Sequence, residues 1–93
     1  TYLTPEQRVS ALSLCRSLNN AQALLEIGTQ DASKIIDATT DLIRSHPDTE
    51  IYYIAVCDTE TLVDVKTIDR PVRMVLAVKV GKARLIDNML LKP

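Results

Sequence analysis

The stretch that decides the fold is Val72-Arg73-Met74-Val75-Leu76-Ala77-Val78-Lys79-Val80-Gly81-Lys82-Ala83-Arg84-Leu85-Ile86-Asp87-Asn88. The valine-rich run Val72 to Val80 is bounded by Pro71 and by the Gly81-Lys82 pair. Glycine is the residue that admits a two-residue hairpin turn, so Arg84 to Leu91 returns as an antiparallel partner. Side chains alternate across a strand. Met74, Leu76, Val78 and Val80 therefore make one face, and Arg73, Val75, Ala77 and Lys79 the other. The first face is a core face. The second mixes apolar and cationic residues, which makes it a candidate contact surface for a neighbour.

Upstream, Ile51 to Cys57 (Ile-Tyr-Tyr-Ile-Ala-Val-Cys) reads as a further strand from its β-branched and aromatic content. Asp58-Thr59-Glu60-Thr61-Leu62 follows as a turn, with Asp58 placed to bond nearby backbone N–H groups, and a connecting stretch runs through Asp69. Before Pro47 the period is helical. Thr4, Pro5 and Gln7 form a helix start: a capping hydroxyl, a proline where no N–H is needed, and a capping-box partner. Leu3 is placed for a hydrophobic staple. Val9, Leu12, Leu14, Cys15, Leu18, Ala21 and Leu25 recur at three- and four-residue steps, predicting one buried stripe that ends at Gly28. Asp31 caps a second helix with the stripe Ile35, Ile36, Thr39, Leu42, Ile43, and Arg44 and His46 suit its carbonyl end. The order ααβββ predicts an α+β domain, two N-terminal helices packed on a three-stranded antiparallel sheet.

Composition narrows the function classes. The chain has 93 residues, a net charge of −1, three tyrosines and no Phe or Trp. Single-strand nucleic-acid binders rely on aromatic platforms and duplex binders on overall basicity, so no nucleic-acid partner is expected. The near-neutral total conceals a division: residues 1–69 carry five basic and eleven acidic side chains, residues 70–93 six basic and one acidic. No apolar run reaches the roughly 20 residues of a membrane helix. Cys15 and Cys57 have no Cys or His at metal spacing and read as buried free thiols in a cytoplasmic protein.

No residue pattern supplies a general acid, base or nucleophile, and no cofactor-binding or metal-binding residue is assigned. Gly28 and Gly81 punctuate elements and form no phosphate loop, His46 is the one histidine, and Asp37 with Asp41 reads as a solvated face. Arg8, Arg84, Asp87 and Asn88 are the structural or interdomain candidates. On a strand Arg84 and Asn88 point one way and Asp87 the other. Asp87 is expected to bond backbone or to pair with Arg8 or Arg16. Arg8 either anchors helix to sheet or meets a preceding segment.

The two ends carry a resemblance. Tyr2-Leu3-Thr4-Pro5-Glu6-Gln7-Arg8 is similar to the Tyr-Leu-Ser/Thr-x-x-x-Arg opening of one domain of the pantothenate synthetase (pantoate–β-alanine ligase) family. Asp58-Thr59-Glu60-Thr61-Leu62 resembles that family's Asp-Pro-Glu-Thr-Leu, with Thr59 replacing Pro, and Gly81 to Asn88 resembles its Gly-x-x-Arg-Leu-Ile-Asp-Asn close. The resemblance implies that residues 1–93 are the C-terminal lid domain, which closes over the active-site cleft by a hinge near its own start. It implies a parent that uses ATP and Mg to join pantoate and β-alanine through a pantoyl-adenylate, and that is a homodimer. The N-terminal nucleotidyltransferase domain, with its His-x-Gly-His-type motif and its Ser-Ser-Arg-Asn element, is absent from this sequence. The missing catalytic domain is thus the expected partner, and the chain alone is expected to be inactive and to hold no cofactor. A free-standing protein-interaction module that uses the outer sheet face is the alternative. A bifunctional parent with another enzyme after Pro93 is a third.

Overall fold

The computed structural model describes residues 4–93. Helices α1 (Pro5–Glu26) and α2 (Ala32–Arg44) precede strands β1 (Thr49–Asp58), β2 (Val72–Val80) and β3 (Ala83–Leu91). The strands form one antiparallel sheet in the order β1-β2-β3. This is the α+β, ααβββ arrangement expected. Strand β1 extends a little beyond the predicted strand at both ends, and β3 begins one residue earlier, at Ala83.

The helix starts form for the predicted reasons. The Thr4 hydroxyl accepts from Gln7 N at 3.1 Å, and Gln7 Oε1 accepts from Thr4 N at 3.0 Å, a closed capping box. The Asp31 carboxylate accepts from Ser33 N at 3.0 Å and from the Ser33 hydroxyl at 2.7 Å. These bonds hold the Asp31 carboxyl below its ordinary pKa, the Ser33 side chain contributing most. Helix α1 ends with Gly28 at φ +102°, as predicted. The Leu3 staple lies outside the described residues.

Paired residues of an antiparallel sheet share a face, so the register sorts every strand residue. Val72, Met74, Leu76, Val78 and Val80 are fully buried beneath the helices, and Ile54, Val56, Leu85, Met89 and Leu91 flank them. Helix α1 lies across β2 and β3, and α2 lies against β1. Ile35 and Ile43 enter the core from α2. Each fully buried aliphatic of this size contributes about 2 kcal/mol of transfer free energy.

The α1 stripe differs from the prediction. Its buried residues are Ser10, Ser13, Leu14, Ser17, Leu18, Ala21 and Leu25, whereas Val9, Leu12 and Cys15 are exposed. The serines can be buried because their hydroxyls bond within the helix: Ser17 Oγ donates to Ser13 O at 2.6 Å, and Ser13 Oγ to Ser10 O. A buried hydroxyl so satisfied costs little, and its small volume lets the helix approach the sheet closely. Cys57 is buried as expected and Cys15 is not.

The connection from β1 to β2 is more ordered than its sequence indicates. Ile68 N donates to Gln30 O at 2.7 Å and Ala32 N to Lys66 O at 2.9 Å, which docks this segment beside the start of α2. Ile68 is fully buried there.

Candidate functional site

Four places gather polar or exposed apolar groups, and the first is a joint at the start of α1. Gly81 has φ +59° at the β2–β3 turn, and its N–H donates to Asp48 O at 3.0 Å. Ser10 Oγ donates to the Asp48 carboxylate. A Cβ on Gly81 would collide with Gln7 Nε2, so the capping glutamine lies directly over the turn. The first turns of α1, the α2–β1 corner and the hairpin tip are therefore one packed unit. At the far end of α1, the Gln22 carboxamide bonds both backbone groups of Lys92: Gln22 Nε2 donates to Lys92 O at 2.8 Å and Lys92 N donates to Gln22 Oε1 at 3.0 Å. Helix α1 is thus fastened to both ends of β3.

The second place is the sheet face away from the helices. A β-bulge separates the pairs Ile51–Val78 and Tyr53–Ala77, leaving Tyr52 as the extra residue. A bulge interrupts strict alternation. The Arg84 guanidinium sits 5.0 Å from the centroid of the Tyr52 ring, a cation–π contact reaching over β2. Tyr53 pairs with Ala77 on the same face, so both tyrosines lie there, each about half exposed. Beyond them, Arg73 donates to Asn88 Oδ1 at 2.6 Å.

The third is the turn after β1. Asp58 Oδ1 accepts from Glu60 N at 2.8 Å and from Thr61 N at 3.0 Å, and its other oxygen lies 3.1 Å from Arg70. The Thr61 and Glu60 N–H groups hold the Asp58 carboxyl below its usual value, with a smaller effect from Arg70. Asp58 performs the turn-bonding role predicted for it. The fourth is a groove of about 740 Å³ between the first turn of α2, β1 and residues 64–67.

The predicted polar residues are not brought together. Arg84 and Asn88 fall on the outer face and Asp87 on the inner one, the division expected from strand geometry. Asp87 accepts from the Asn88 backbone N–H at 2.8 Å, and the expected pairing with Arg8 or Arg16 is not among the ion pairs of the described residues. Arg8 lies exposed on α1 beside Leu12 and Cys15. Among the described residues no three of His, Cys, Asp or Glu converge as metal ligands, and no helix is long and apolar enough to cross a membrane. Sequence reading missed the Tyr52–Arg84 contact, because only pairing with β2 reveals the bulge.

Residues 1–90 match the family described as pantoate-beta-alanine ligase. Over 92 residues the chain is 47% identical to the pantothenate synthetase of Desulfatibacillum aliphaticivorans, covering 99% of this chain and 33% of that protein. It is 46% identical over 90 residues to the pantothenate synthetase of Thermotoga neapolitana, covering 97% and 32%. The crystal structure of pantothenate synthetase from Thermus thermophilus superposes with a TM-score of 0.89 at 30% identity, over 99% of this chain and 33% of that one. The chain spans about a third of the length of these relatives.

Proposed function

Because the chain belongs to the pantoate–β-alanine ligase family, we propose that it forms the C-terminal lid of such a ligase, working with a catalytic domain that lies elsewhere in the parent. The end-to-end match to one third of the relatives carries this reading. The parent would join pantoate to β-alanine with ATP: the pantoate carboxylate attacks the α-phosphate, pyrophosphate leaves, and the β-alanine amine then displaces AMP from the pantoyl-adenylate. Each bond of that sequence forms and breaks in the parent's catalytic domain. The lid contributes by keeping water from the adenylate while the amine arrives.

The joint at the start of α1 gives this role a physical basis. With Gln7 over Gly81 and Gln22 holding Lys92, a rotation applied at the first turn of α1 carries the whole sheet with it. A lid must move as one body to seal a cleft. The cations of residues 70–84 add favourable potential toward ATP or pyrophosphate in the closed state. Neutralising Arg73, Lys79 and Lys82 together in the parent should therefore raise the KM for ATP, and unchanged kinetics would remove that contribution.

Water exclusion is tested by coupling. In the parent, Gly81→Val should raise the AMP released per pantothenate formed, because it drives Gln7 off the turn. A ratio equal to that of the unsubstituted parent would contradict the sealing role.

A further inference from the structure

The sheet face away from the helices has the anatomy of a protein interface, and we propose that it packs against the remaining two thirds of the parent ligase. The inference rests on the family reading above and adds to it which surface makes the contact. The centre of the face is apolar, with Ala77 between Tyr53 and Ile86 in one cross-strand row and Val75 beside Ala55 in the next. Tyr53 and Ile86 are 48% and 65% exposed, large values for side chains in mid-strand. The cations stand at the ends, Arg73 toward one and Lys79 with Arg84 toward the other. Tyrosine and arginine around an apolar centre, with charge at the rim, is the composition of interface hot spots.

The same placement argues against a small anion. Arg73 and Lys79 lie six residues apart on β2, about 20 Å at ~3.3 Å per residue, so they do not converge on one phosphate. Arg73 is already bonded to Asn88, and Arg84 rests on Tyr52. A second copy fits poorly as well. The face presents Arg73, Lys79 and Arg84 against Glu50 alone, so a two-fold pairing would bring like charges together. A matching surface of the parent is apolar at its centre and, facing the cations at the rim, carries acidic side chains or the phosphates of bound nucleotide. The exposed Val9, Leu12 and Cys15 on α1, with Arg8 beside them, make a ridge one helix wide that has no aromatic anchor.

Hydroxyl-radical footprinting of the parent, free and with ATP and pantoate, tests the assignment against the 93-residue chain under the same dose. Tyr53 and Ile86 should be modified about threefold or more slowly in the parent, in at least one state, as expected when half-exposed side chains enter an interface core. Equal rates in both states, in a parent that makes pantothenate, would overturn this assignment and leave the family reading intact. Protection in a parent that makes no pantothenate would instead remove the proposed activity and keep the interface. Slowing within the 93-residue chain as its concentration rises, without further slowing in the parent, would make a second copy the occupant and overturn the proposal.

Discussion

Gln7 closes the capping box of α1 with the same carboxamide that covers Gly81 at the tip of the β2–β3 hairpin. One side chain therefore ties the start of the chain to the far turn of the sheet. Gly81→Ala should lower stability by about 1–3 kcal/mol, combining a side chain in the left-handed region with displacement of the cap. Gln7→Ala alone should cost about 1 kcal/mol. In a double-mutant cycle read from urea midpoints, the Gly81→Ala cost should shrink once Gln7 is gone. Strict additivity would show that the two residues do not share this contact.

The serines on the buried face of α1 give a contrasting pair. Ser17 is fully buried and Leu12 is 58% exposed. Ser17→Leu should destabilise by about 1–3 kcal/mol through overpacking, whereas Leu12→Ser should stay within about 0.5 kcal/mol. Thermal melts of the two variants decide it, and the reverse order would mean that Leu12 rather than Ser17 faces the sheet.

Asp58 makes stability depend on pH. Its folded pKa lies below the unfolded value, so its contribution is present above the unfolded pKa of about 3.9 and is lost as pH falls through the folded one. Asp58→Asn should be less stable than the natural chain at neutral pH, and the gap should close on acidification. A gap constant from neutral to strongly acidic pH would show that the charge plays no part.

The thiols separate in the same way. Cys15 is exposed and Cys57 is 5% exposed. Under native conditions an aromatic disulfide reagent should titrate Cys15 promptly and Cys57 only on unfolding. Two fast thiols would place Cys57 at the surface.

What was legible in the sequence was local. The Thr4 and Asp31 caps, the Gly28 stop, the Gly81-Lys82 turn and the two faces of β2 each depend on residues within a few positions of one another. The serine face of α1 was not legible, since counting apolar residues selects Val9 and Leu12, and only packing shows that a close sheet requires small side chains. Tyr52 was missed because register with β2 creates its bulge, and Ile68 because its burial depends on docking against Gln30. The family was legible from the Tyr2–Arg8 opening and the Gly81–Asn88 close, with the Asp58–Leu62 turn between them. Of the four polar candidates, Arg84 finds Tyr52, Asn88 finds Arg73, Asp87 turns to its own backbone, and Arg8 lies open on α1. Such pairings depend on neighbours distant in sequence.

We propose that this chain serves a pantoate–β-alanine ligase whose chemistry lies in the rest of the parent. The direct test is a calorimetric titration of the 93-residue chain with ATP, beside an assay of the parent with pantoate, β-alanine and ATP. A lid that acts only in company should show no binding by the chain alone and pantothenate formation by the parent. Micromolar ATP binding by the chain alone, or a folded parent that forms no pantothenate, would contradict it.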